Sequence, residues 1–248
     1  STPTLAFIGS IPSGYSFTSP TGGSSGGGGS TPTVNYALQF DGSQNYVSTP
    51  ISAFTSSGDD VTFTAWMKSS DHYQNSASII GSDEGAQYSI EILGFYSTGN
   101  NPTGIFGSGS GEGWQVVGTS DVLDNQWHFV VATHTSSEDT IYVDGVQQSQ
   151  VSANSLSGNA TGVFNIGTSL GYGWYFNGLL SDISIWNRAI TSQEVATAYS
   201  SGISSLSTNG LLAHYDFHDG SGSTLSDISG HGNNGTLHGS PTPTWVTR

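Results

Sequence analysis

Asp124-Asn125-Gln126-Trp127-His128-Phe129-Val130-Val131-Ala132-Thr133-His134, followed after a short polar turn by Thr140-Ile141-Tyr142-Val143-Asp144-Gly145-Val146-Gln147-Gln148, is the stretch that decides the fold. Side chains along a strand alternate between its two faces. Trp127, Phe129 and Val131 therefore share one face, and His128, Val130, Ala132 and His134 share the other. Both sets hold apolar residues, which predicts a central strand covered on both sides. In the second strand Ile141 and Val143 form a buried face opposite Tyr142. Asp144-Gly145 is the dipeptide of a tight hairpin turn. A Trp-anchored strand running into such a hairpin predicts the centre of a β-sandwich.

The same alternation extends outward. Val61, Phe63, Ala65 and Met67 fall on one face of a strand, with the threonines and Trp66 opposite. Shorter strands are predicted at 37–42 and 45–48 (joined at Gly42-Ser43), 78–81, 87–92, 114–117, 164–167 and 180–186. The glycine- and proline-rich stretch 100–113, around Ile105-Phe106, reads as a hairpin or mobile loop. One helix is expected: Thr191-Ser192-Gln193-Glu194 is a capping box, Val195, Ala198 and Tyr199 form a short apolar stripe, and Gly202 stops it. In the closing segment Leu211, Ala213, Tyr215 and Phe217 form a buried face. A long turn over 219–236 and a final strand at Trp245-Val246 follow. Residues 1–33 differ in kind, with an apolar Leu5-Ala6-Phe7-Ile8 run and a Gly/Ser-rich linker at 22–30. They are expected to form an arm and linker ahead of an all-β domain over 34–248.

Hydrophobic residues make up 34% of the chain, aromatics 11%, and there are 35 glycines, a mixture that suits an all-β domain with many turns. Three Lys and Arg stand against 18 Asp and Glu, for a net charge of −15. Nucleic acid is thereby a poor partner, because phosphate binding needs cations. No apolar run approaches a membrane span, so membrane insertion is not expected. Divalent cations are the natural counter-charge, and Ca²⁺ with oxygen ligands fits best; the alternative is that scattered carboxylates keep the surface soluble. Absence of cysteine excludes disulfides and thiol chemistry. Ser1 starts the sequence without a charged or apolar leader, as expected of a mature protein or a piece of a longer one.

Five blocks in order carry a resemblance: Ala37–Gly42, Phe63–Trp66, Trp127–Val130, Tyr142–Gly145 and Gly178–Thr191. Over roughly 34–248 the chain resembles the LamG-like jellyroll domains of the concanavalin A-like lectin/glucanase superfamily. The resemblance implies a two-sheet antiparallel jellyroll, with Trp66 and Trp127 as core residues. One departure stands out. In that family the segment resembling 211–239 precedes the strand resembling 37–42, whereas here it comes last. Either the domain is circularly permuted or a second repeat begins at 211. Permutation is favoured, because a truncated repeat would expose Tyr215, Phe217 and Trp245, and it places Ala213–Phe217 and Val246 beside the strands near Leu38.

The resemblance also implies a structural Ca²⁺ near the loop 227–234 or near Asp41 and Asp182. Asp41, Asp182, Asp227, Ser229 and Asn234 are the candidate ligands, against the alternative of a turn satisfied by its own backbone. His214, Asp216 and His218 alternate onto one strand face, more as the wet side of a half-buried strand than as a zinc site. Sugars stack on exposed rings and pair their hydroxyls with carboxylates and amides. Trp114 beside Glu112, and Tyr172 and Trp174 beside Asn177, lie in glycine-rich loops and are the candidate ligand-binding residues. Their alternative role is to cap the ends of the sandwich.

Catalysis is disfavoured. The related glucanases carry a Glu-x-Asp-x-x-Glu strand, and nothing here matches it: Ser89-Ile90-Glu91-Ile92-Leu93 has a lone carboxylate. The cation set that related lyases use cannot be built from Lys68, Arg188 and Arg248. The expected function is a non-catalytic, extracellular, lectin-like module that binds a glycan or glycoconjugate with calcium support. The alternatives are a structural or adhesive spacer and, third, a polysaccharide-active enzyme.

Overall fold

The computed structural model describes residues 35–52, 60–72, 76–82, 90–96, 100–107, 114–152 and 162–248. The arm, its apolar run and the Gly/Ser linker lie outside the described residues. The strands are β1 (Tyr36–Asp41), β2 (Tyr46–Ser52), β3 (Val61–Lys68), β4 (Ser76–Ser82), β5 (Ile90–Tyr96), β6 (Thr103–Gly107) and β7 (Trp114–Val117). Then come β8 (His128–His134), β9 (Glu138–Val143), β10 (Val146–Ser152), β11 (Val163–Ile166), β12 (Thr168–Ser169), β13 (Trp174–Tyr175) and β14 (Asn177–Trp186). Helix α1 (Ser192–Ser201) is followed by β15 (Leu211–Tyr215), β16 (Thr224–Leu225), β17 (Gly235–His238) and β18 (Thr244–Thr247).

Two antiparallel sheets form a jellyroll sandwich. The first runs β10-β9-β8-β3-β14-β1-β18, with β15 also pairing β14; the second runs β16-β17-β2-β11-β4-β5-β6-β7. Strand β8 lies between β3 and β9, as its two apolar faces predict. Val130 and Ala132 enter the core between the sheets, together with Phe63, Met67, Ile141 and Val143. Phe129 and Val131 enter a second core on the outer face, with Tyr142 and Trp186, beneath Val195 and Ala198 of α1. The helix therefore exists to cover an apolar outer face that strand alternation leaves behind.

Local chemistry fixes the joints. Asp144 (φ 50°) and Gly145 (φ 80°) are both left-handed, the backbone that a two-residue hairpin turn needs. Asp144 Oδ1 accepts from the Phe129 amide at 2.9 Å, and Tyr199 of α1 packs over Gly145. At α1, Thr191 Oγ1 accepts from the Glu194 amide (3.2 Å) and Glu194 accepts from the Thr191 amide (2.8 Å). Gly202 ends the helix.

The closing segment supplies both sheets. Strand β1 pairs with the first half of β14 and β15 with the second half, so the two lie end to end along one strand. Strand β18 then flanks β1, with Val246 opposite Ala37 and Trp245 opposite Leu38. Strands β16 and β17 extend the second sheet beyond β2. Tyr215 and Phe217 are fully buried. Residues 211–248 thus complete the sandwich rather than begin another. Two expectations need correction. The stretch 219–236 is not one long turn, because it contains β16 and begins β17. Trp114 begins β7, opposite Phe106, which agrees with the strand predicted at 114–117 and not with the placing of Trp114 in a glycine-rich loop.

Candidate functional site

The site is built where the chain crosses from the second sheet to the first. Tyr172 and Gly173 donate amides to the carbonyls of Ser169 (3.1 Å) and Leu170 (3.2 Å), closing a tight turn between β12 and β13. Gly173 is left-handed at φ 66°, and open space surrounds it. This turn brings the rings of Tyr172 and Trp174 together, centroids 4.7 Å apart and 28° from parallel. Tyr172 is 39% exposed and Trp174 half-buried. Two residues on, Phe176 anchors the crossing in the core, edge-on to Phe40 at 6.4 Å. Gly167 has to be glycine: a Cβ there would lie 2.4 Å from the Phe40 ring.

Asn177 opens β14 and lines a depression on the outer face of the first sheet. Gln39, Lys68, Asp71, Asn125 and Thr247 share its wall, and its volume is about 430 Å³. Asn177 Nδ2 donates to Asp71 Oδ2 at 2.7 Å, and Ser69 Oγ donates to the Asn177 carbonyl at 2.7 Å. Asn125, left-handed at φ 64°, is held by its amide on the Ser69 carbonyl at 2.9 Å. Asn177 is three positions after Trp174, so their backbones are within about 11 Å of each other. The ring pair lies on the β12–β13 turn of the second sheet and the depression on the first sheet, joined through the short segment 174–177. Of the sequence-derived ligand set, Tyr172 and Trp174 come together and Asn177 lies nearby. Glu112 and the Trp114 side chain lie outside the described residues.

A third element gathers both tryptophans on the outer face of the first sheet. Trp66 and Trp127 are not core residues of the sandwich; both are half-buried on the outer face. The Arg248 guanidinium lies between them, 4.6 Å from the Trp66 ring and 4.4 Å from the Trp127 ring. Tyr199 stacks on Trp66 from the helix side at 5.7 Å. The signal was present in β3, where Trp66 opposes Phe63 and Met67.

The oxygen-bearing candidates fall in separate places. Asp41 ends β1 and accepts from the amides of Ser43 (2.9 Å) and Gln44 (3.3 Å), capping its own turn. Asp182, left-handed at φ 46°, sits where β1 and β15 abut and bonds His214 Nε2 at 2.7 Å. Five residues of strand, about 16 Å, separate it from Asn177 opposite Asp41. The Asp227 carboxylate is saturated. Oδ1 accepts from the amides of His214 and Ser229, and Oδ2 from Ser229 Oγ and the Asn233 amide, all at 2.9–3.0 Å. Asn234 Oδ1 accepts from the Asp227 amide at 2.9 Å. Burial pushes the Asp227 pKa up, but these hydrogen bonds outweigh it and hold the carboxyl below the usual range. In this arrangement Asp227, Ser229 and Asn234 bond one another and the chain, while Asp41 and Asp182 each bond partners of their own. Among the described residues no cluster of three His, Asp or Glu side chains gathers around a metal-sized space. His214 bonds Asp182 while Asp216 pairs with His218 at 2.8 Å, so those three do not converge either.

A two-sheet antiparallel jellyroll sandwich is the architecture of the concanavalin A-like domains. The Laminin_G_3 model, described as Concanavalin A-like lectin/glucanases superfamily, matches residues 41–196, and the chain belongs to that family. No curated protein matches the sequence. Among solved structures, the chain resembles a candidate carbohydrate-binding protein from Bacteroides ovatus, at 20% identity and a TM-score of 0.65 over 87% of this chain. It spans 60% of that protein's length. It also resembles the heptameric SAP-like pentraxin of Limulus polyphemus, at 15% identity and a TM-score of 0.54, over 70% of this chain and 86% of the pentraxin. The mouse laminin alpha1 chain domains LG4-5 align at 14% identity and a TM-score of 0.47, over 63% of this chain and 43% of theirs. At these identities the likeness is one of fold.

Proposed function

We propose that this chain is a non-catalytic carbohydrate-binding module of a surface or secreted protein. The carrying observation is the part-exposed Tyr172–Trp174 ring pair at 4.7 Å, three positions along the chain from Asn177, which lines a polar depression with amides, a carboxylate and a lysine. In the stacked pair each ring supports the other, and the outward face of the exposed Tyr172 ring can take a flat sugar face, while polar groups such as those of the depression suit its hydroxyls. The Bacteroides ovatus relative, described as a candidate carbohydrate-binding protein, supports the reading through shared fold. Extracellular placement rests on family membership, and no described helix is long and apolar enough to cross a membrane.

Glycan-array binding by the full chain is expected, and Trp174→Ala is expected to weaken it about tenfold while leaving the melting temperature of the sandwich high. Unchanged binding in that variant, or no glycan bound by calorimetry at millimolar ligand, would contradict the proposal. Calcium enters the proposal through the charge of −15 alone. A melting temperature that rises in millimolar calcium relative to chelator would support it by mass action; equal melting temperatures would remove calcium from the reading.

A further inference from the structure

We propose that the depression beside Lys68 is a subsite for a sugar carrying a single carboxylate, of the uronic acid class. This rests on the reading of the chain as a carbohydrate-binding module and names what that module selects. Anions are repelled by the chain as a whole, which has three cations against 18 carboxylates. Those three cations are not scattered. Arg188 is held by both carboxylate oxygens of Glu194 at 2.9 and 2.7 Å. Lys68 and Arg248 both come to the outer face of the first sheet, where Lys68 lines the depression and Thr247, next to Arg248, lines it too. Arg248 is clamped between two indoles and donates to Ser181 Oγ at 3.4 Å. Lys68 forms no ion pair among the described residues, although its site is half-buried.

The remaining wall suits the neutral part of such a sugar. Asp71 is fixed by the Asn177 amide at 2.7 Å and presents a carboxylate, an acceptor for ring hydroxyls. Gln39 and Asn125 add amides. Asp71 also sets an upper limit on charge: a second anionic group in the depression would face it directly. One carboxylate directed at Lys68, with hydroxyls turned to Asp71, matches this wall, and a densely sulfated chain does not.

Calorimetric titration of the full chain with methyl glucuronide and methyl glucoside tests the assignment. Glucuronide is expected to bind about fivefold more tightly, with the gap narrowing at high salt. Lys68→Met keeps the aliphatic stem and is expected to erase the gap. Gln39→Lys adds a cation at an exposed lining position and is expected to widen it. Equal affinities in the unmodified chain, or a gap that survives Lys68→Met, would overturn the subsite while leaving carbohydrate binding intact. If neither sugar binds, the subsite is overturned, and a blank glycan array in the same preparation would overturn the broader reading with it.

Discussion

Asp144 joins three parts of the fold through one carboxylate. Its left-handed backbone makes the hairpin turn, Oδ1 accepts from the Phe129 amide, and Oδ2 meets His128 Nδ1 at 2.8 Å. The hydrogen bond to Asp144 raises the His128 pKa, burial opposes the rise, and Asp124, 3.1 Å from Nε2, adds to it. A raised folded-state pKa gives stability that is full below the ordinary histidine value of 6.5 and lost as pH rises through the folded value. His128→Gln is therefore expected to flatten the fall in melting temperature between slightly acid and slightly alkaline pH. An unaltered slope would show that the two carboxylates do not hold a protonated ring. Asp144→Ala is expected to cost about 1 kcal/mol or more in urea unfolding, because it also strips an acceptor from the Phe129 amide. The turn was legible from Asp-Gly alone. The carboxylate's second role was not, since it depends on strand register bringing residue 144 opposite Phe129 and so beside His128.

Helix α1 was legible in full, from its capping box to Gly202, because capping is chemistry between near neighbours in sequence. Its purpose was less so. Val195 and Ala198 close the outer core, while Tyr199, 41% exposed, covers Gly145 and stacks on Trp66. The hydrogen-bonded Arg188 guanidinium holds the Glu194 carboxyl down; burial opposes this, Thr191 adds to it, and the pKa falls from 4.5 to about 2. For a depressed pKa the stabilisation is complete above 4.5 and disappears as pH falls through about 2. Glu194→Gln is expected to remove that acid-side slope, and Thr191→Ala to lower stability by about 1 kcal/mol at neutral pH. Acid titrations of melting temperature that coincide for Glu194→Gln and the unmodified chain would contradict the bidentate pair as a stabilising element.

For the whole molecule, sandwich architecture followed from period-two alternation in β3 and β8, and central placement of β8 followed from apolar residues on both its faces. The joining of residues 211–248 to both sheets was foreseen from the need to bury Tyr215, Phe217 and Trp245. Its form was not. Strand β15 lies end to end with β1 along β14, an arrangement that no local pattern encodes. The same limit applies to the site. Tyr172 and Trp174 were visible as rings in a glycine-rich turn, whereas the Lys68 depression is made by four strands meeting, and Asp41, Asp182 and Asp227 are separated by pairings that only the folded chain sets. Amide chemical-shift mapping of the full, isotopically labelled chain against its best array glycan tests carbohydrate recognition at this site most directly. Perturbations are expected to centre on Tyr172, Trp174 and Asn177 and extend to Lys68 and Asp71. Perturbations confined to the opposite end of the sandwich, or none at saturating sugar, would contradict it.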